Sequence, residues 1–176
     1  MKDLVPINKD NGFDAQIDIR YATTDNFTNQ EVYDQPYCLL HKNAAKLLKK
    51  AIKLAKDQGF RFKIFDTYRP FEVQKTLFEH YPDGDYISNP ETGLITHCRG
   101  IAIDLTLIDE NGDELEMGTV FDEFGIKANH GAEELSNIAQ KNRYLLMGIM
   151  LSAGFDIYRP EWWHYQLYDA QTYPVI

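Results

Sequence analysis

The sequence predicts an α+β fold, a small antiparallel sheet with helices packed on it, in a single domain spanning residues 1–176. Hydrophobic residues recur at helical spacing in residues 41–58 and 132–153, while residues 60–65 alternate with period two. Helical and strand periods thus share one chain. Asn111-Gly112 follows an apolar run and is a strong hairpin signal, which argues against a purely parallel sheet. A chain of 176 residues suits one domain, and at that size about 70% of the unfolded surface is buried on folding.

Residues up to about Leu40 are turn-rich, with Asn11-Gly12 and Thr23-Thr24-Asp25-Asn26 as breakers and residues 16–21 as a short strand candidate. The helix at 41–58 places Ala44, Leu47, Leu48, Ala51, Ile52 and Ala55 on one face and lysines on the other, with Gly59 at the C-cap position. The strand at 60–65 ends at Asp66-Thr67-Tyr68-Arg69-Pro70, and Pro70 can start a short helix over 71–80. Residues 81–93 carry Pro, Gly, Asp, Ser and Asn and read as a long surface loop. Residues 102–108 form a strong strand, expected to turn at Asn111-Gly112 and return through 114–117. The helix at 132–153 is expected to bury Leu135, Ile138, Leu145, Ile149 and Ala153, with Gly154 beyond its end, and a last strand covers 163–168.

Composition excludes several partner classes. There are 18 basic and 27 acidic side chains, a formal net charge of −9, and no local basic patch. Such a field repels phosphate backbones and anionic membrane surfaces, so neither nucleic acid nor a membrane is expected as a partner. The apolar run from Leu145 to Ala153 is broken by Gly148 and Ser152, far short of the ~18 residues of a membrane span. The opening residues lack the apolar core of a secretory signal, and Cys38 and Cys98 make no disulfide framework. The expectation is a reduced, cytosolic protein.

The chemistry gathers in two segments, Thr96-His97-Cys98-Arg99-Gly100-Ile101-Ala102-Ile103-Asp104 and Pro160-Glu161-Trp162-Trp163-His164. Catalytic zinc takes three ligands from His, Asp and Glu and leaves a fourth position for a water, whose pKa falls to about 7. His97, Asp104 and His164 supply three such ligands, and Glu161 supplies a carboxylate nearby. Asp104 lies in a strongly apolar strand, where an unpaired charge is costly and a metal would neutralise it. A turn at Gly100 would let His97 and Asp104 face one point. In an ideal strand Glu161 and His164 would point to opposite faces, so Glu161 is expected in the loop ahead of the strand, reaching over the metal.

Spacing alone leaves bland readings open. A histidine near a strand is usually a hydrogen-bonded core or surface residue, and Asp104 could cap a turn or pair with Arg99. His41, His80 and His130 read as surface or capping residues, and Trp162 and Trp163 as a hydrophobic wall that could also shield a metal. Cys98 lacks the base-and-orienter pattern of a nucleophile.

Taken with Tyr21–Phe27, Phe65–Pro70, His97–Leu107, Met117–Asp122 and Glu161–Tyr165, the chain resembles the VanX-type D-alanyl-D-alanine dipeptidases, zinc peptidases that cleave the D-Ala-D-Ala dipeptide. The resemblance implies one zinc ion per chain on His97, Asp104 and His164, with Glu161 as general base. It implies Arg69 as the cation that stabilises the tetrahedral oxyanion, and Asp122 and Tyr21 as residues holding the substrate's ammonium end. At Ile95 the family often has a small polar residue that contacts substrate, so the dipeptide preference is open there. Two alternatives stand beside the dipeptidase: a D,D- or L,D-carboxypeptidase acting on muropeptides with the same ligand set, and a non-catalytic domain that keeps zinc for structure.

Overall fold

The computed structural model describes residues 3–176. In chain order its main elements are β1 (Leu4–Pro6), β2 (Ala15–Ile17), β3 (Leu39–His41), α1 (Lys42–Asp57), β4 (Arg61–Asp66), α2 (Phe71–His80), β5 (Ala102–Ile108), α3 (Asn137–Ala153), β6 (Asp156–Ile157) and β7 (His164–Gln166). A five-stranded sheet runs in the order β2-β4-β5-β7-β6, and β1 and β3 form a separate two-stranded ribbon. The α+β reading holds. The larger sheet is mixed, because β2 pairs parallel with β4 while every other pair is antiparallel.

β5 is the axis of the fold. All seven of its residues are buried, since β4 and β7 flank it and helices cover the sheet. That double burial explains why its sequence is apolar on both faces rather than alternating. α1 turns Ala44, Ala45, Leu48, Ala51 and Ala55 inward against β4 and α3, and its lysine face points to solvent. Small alanines on that face let the helix approach the sheet closely.

Three elements depart from the sequence reading. The hairpin after β5 does not close into a second strand: one bridge, Ile108 to Glu114, and two backbone bonds, Asp109 N–H to Asp113 O and Leu115 N–H to Leu107 O, are made before the chain leaves. The departure has a cause in Arg143, whose Nε donates to Met117 O at 2.6 Å and draws the segment toward α3. α3 starts at Asn137, later than expected, because Ser136 is its N-cap and accepts from Ala139 N at 3.0 Å. Ile138 is therefore 59% exposed, and the inner face is Ala139, Arg143, Leu146, Ile149, Met150 and Ala153. The segment expected as one strand over 16–21 splits into β2 and a 3-10 turn, Arg20–Ala22, which carries Tyr21 inward.

His130 is neither a surface nor a capping residue. It is half-buried with its ring 6.0 Å from that of Tyr165, and its Nε2 has no hydrogen-bond partner among the described residues. Burial, reinforced by the Arg143 charge, pushes its pKa down to about 4. The unfolded chain takes up a proton as pH falls through the ordinary value near 6.5, whereas the folded chain does so only near 4. Stability from this group is therefore fully present above about pH 6.5 and is lost toward pH 4, by about 3 kcal/mol. Chemical denaturation at pH 7 and pH 4 should show that loss in the wild type and most of it absent in His130→Gln. Equal pH dependence in the two proteins would contradict this account.

Candidate active site

The sheet register sets the site. On β5, Asp104 stands opposite His164 of β7 on one side and beside Asp66 of β4 on the other. His97 comes from a 3-10 turn, Thr96–Arg99, that precedes β5. Gly100 ends that turn at φ +66°, where a Cβ would lie 2.6 Å from Leu4 Cδ2, so glycine is required both for the left-handed backbone and for the close approach. The turn brings His97 back over Asp104.

Three buried ligand atoms converge. His97 Nε2 is 3.3 Å from Asp104 Oδ2, His164 Nδ1 is 3.1 Å from Asp104 Oδ1, and the two ring nitrogens are 3.2 Å apart. The opposite nitrogens face outward to acceptors: His97 Nδ1 donates to Thr67 O at 2.6 Å and His164 Nε2 to Gln166 Oε1 at 3.1 Å. In neutral imidazoles those outward bonds fix the tautomers and leave lone pairs at the inner nitrogens. Two lone pairs and a carboxylate then face one point without a proton between them, which is the donor set of a metal site. Burial works against the Asp104 charge; charge and N–H donation from the two histidines hold its carboxyl well below the usual range, and a cation on the neutral imidazoles would take over that role.

Glu161 sits in the turn ahead of β7, with Oε2 3.7 Å from His164 Nδ1. It is 5% exposed, and burial, with Asp104 and Asp122 adding repulsion that outweighs the Arg69 charge, raises its carboxyl well above the ordinary glutamate value. Arg69, 5% exposed, donates from Nε and Nη2 to Asp66 Oδ2 at 3.0 and 2.8 Å, and its guanidinium carbon lies 5.1 Å from the centre of the Tyr21 ring. Asp66 is itself fully buried, and its other oxygen accepts from Tyr33 OH at 2.6 Å and Thr67 N at 2.9 Å. Tyr21 OH donates to Asp122 Oδ2 at 2.9 Å, joining residues 101 positions apart.

A cavity of 240 Å³ connects these groups, lined by Tyr21, Arg69, His97, Asp104, Asp122, Glu161 and His164. All seven residues singled out from the sequence therefore face one space. Trp163 walls it, while Trp162 turns away to donate from Nε1 to Thr119 Oγ1. Ile95 also lines it, in the left-handed region at φ +40°, and offers only a hydrocarbon wall where a hydroxyl could have bonded a ligand. Tyr158 OH donates to Asp85 O at 2.7 Å and pins the 81–95 loop to the Glu161 turn. Cys98 is fully buried with its thiol pushed up to about 11, which removes it as a nucleophile.

Sequence reasoning gave no role to Asp66, although it is the anchor of Arg69. The available signal was an acid three residues before an arginine at the exit of a strand. Gln166 was missed too, for its contact with His164 depends on the two-residue repeat of β7, which returns both side chains to one face.

Comparison with known proteins places the chain in a family. The family model described as D-ala-D-ala dipeptidase, of the M15 peptidases, matches residues 3–175. The D-alanyl-D-alanine dipeptidase of Escherichia coli (strain K12) is 41% identical over 163 residues, which cover 93% of this chain and 84% of that protein. The proteins of the same name from Enterococcus faecium and Streptomyces coelicolor are 35% and 32% identical, covering 89% and 85% of this chain and 87% and 84% of their own lengths. The chain belongs to the D-ala-D-ala dipeptidase family of M15 peptidases.

Proposed function

We propose that this chain is a single catalytic domain that hydrolyses the D-Ala-D-Ala dipeptide to two D-alanines in a zinc-dependent reaction. The observation that carries the reading is the buried convergence of His97, Asp104 and His164 beside Glu161 on a cavity that also holds Arg69. Zinc is favoured for the donor set because tetrahedral bonds of ~2.0–2.1 Å place ligand atoms about 3.3 Å apart. The separations here are 3.1, 3.2 and 3.3 Å. When bound there, zinc supplies a Lewis acid and makes water a nucleophile near neutral pH.

The chain's own groups do the rest. Glu161 takes the proton of the attacking water and delivers it to the departing amine, and its burial-raised pKa suits a group that must both accept and release a proton. Asp66 and its partners fix the Arg69 guanidinium on the cavity wall, where it meets the negative charge that develops on the carbonyl oxygen. Asp122, oriented by Tyr21, is the anion available to the substrate's ammonium group. Trp163 and the 81–95 loop wall the cavity around these groups.

The cavity suits a ligand as small as a free dipeptide. Its 240 Å³ lies below the ~300 Å³ at which pockets for drug-sized ligands begin. Two free thiols, Cys38 and Cys98, support a reducing, cytosolic setting. Among the described residues no helix is long and apolar enough to cross a membrane.

Glu161→Ala should retain one zinc per chain while turnover of D-Ala-D-Ala falls by ~10²–10⁴-fold. Undiminished turnover in that variant would remove Glu161 as the base. His164→Ala should not hold stoichiometric zinc after dialysis, measured by elemental analysis. Full metal content there would take His164 out of the ligand set.

A further inference from the structure

Arg69 is held from two sides, and only one of them is an ion pair. Asp66 takes its Nε and Nη2, while Nη1 donates to Gln74 Oε1 at 2.9 Å. These bonds occupy three of the five guanidinium N–H groups and leave one on each terminal nitrogen. Gln74 is 1% exposed, on a helix whose only other buried residue is Leu77. Packing alone would be met there by a leucine, and a buried amide is costly unless both its ends are bonded. Both are: Gln74 Nε2 donates to Ser88 O at 2.7 Å. Ser88 belongs to the 81–95 loop, which contributes Gly84, Tyr86, Ile87, Ser88 and Gly93–Ile95 to the cavity wall.

We propose that Gln74 is a positioning residue: through one side-chain amide it fixes the plane of the Arg69 guanidinium and ties it to the loop that walls the cavity. The inference rests on the reading of Arg69 as the oxyanion donor. An amide suits the role better than a carboxylate. Asp66 already balances the Arg69 charge, and a second carboxylate would set a net negative charge against a developing oxyanion. Two N–H groups aimed by fixed partners act only if their placement is held, because displacement by about 1 Å can cost ~10²-fold in rate.

The test is a double-mutant cycle on the full chain loaded with zinc. Gln74→Met keeps the length of the side chain and loses both bonds. Its kcat for D-Ala-D-Ala should fall roughly 10- to 100-fold at unchanged zinc content. In an Arg69→Ala background, whose own kcat is lower by ~10²–10³-fold, Gln74→Met should change kcat less than about twofold. An undiminished kcat in Gln74→Met, or an equal loss in the Arg69→Ala background, would overturn the proposal. Gln74→Leu and Arg69→Lys replace either variant that does not fold. Hydrogen exchange supplies a readout independent of turnover: both Gln74→Met and Arg69→Ala should speed exchange in residues 84–95. A loop unmoved by Arg69→Ala would break the proposed tie even if the wild type did not hydrolyse the dipeptide, whereas an inactive wild type with a coupled loop would refute the function alone.

Discussion

Asp104 is a carboxylate in the middle of a strand that is buried throughout, and the organisation of the site follows from how its charge is met. An isolated carboxylate in that position would be neutralised or would unfold the strand. Here His97 and His164 approach both its oxygens, and their outward nitrogens are committed to Thr67 O and Gln166 Oε1. The inner face is thereby left rich in electron pairs and poor in protons. A cation at its centre would meet the same charge that the histidines meet, so stability and metal affinity would be linked in one feature.

A second buried charge lies alongside. Asp66, one strand away on β4, is paired with Arg69 and capped by Tyr33 OH and Thr67 N. The two acids thus sit in one row across the sheet with opposite assignments: Asp104 faces the histidines and Asp66 holds the arginine. Glu161 and Asp122 complete the wall, and burial raises both carboxyls. Carboxyls with depressed and raised affinities for protons thus share one cavity, the condition under which a proton can be moved on demand.

Local structure was readable where local signals were strong. α2 and β5 occupy the residues read for them, one started by Pro70 and the other marked by an unbroken apolar run. The turn at Asn111-Gly112 forms, but the return strand does not extend past Leu115, where Arg143, from a helix far along the chain, takes Met117 O. The start of α3 followed its cap, Ser136, rather than the first apolar residues upstream, which is why Ile138 ended in solvent. The chemistry-bearing side chains could be named from residue types and motifs, but their assembly could not be derived from spacing. Tyr21 meets Asp122 across the fold, and Gln74 meets Ser88 across a loop without strand periodicity. Such contacts are set by tertiary packing, and a single sequence carries no period that encodes them.

The central claim is that a metal held by His97, Asp104 and His164 makes this cavity a dipeptidase. It is tested most directly by release of free D-alanine from D-Ala-D-Ala by the purified protein as isolated, after chelation, and after zinc is restored. Activity that disappears with the chelator and returns with stoichiometric zinc is the result expected. A folded, zinc-loaded protein that releases no D-alanine would contradict it.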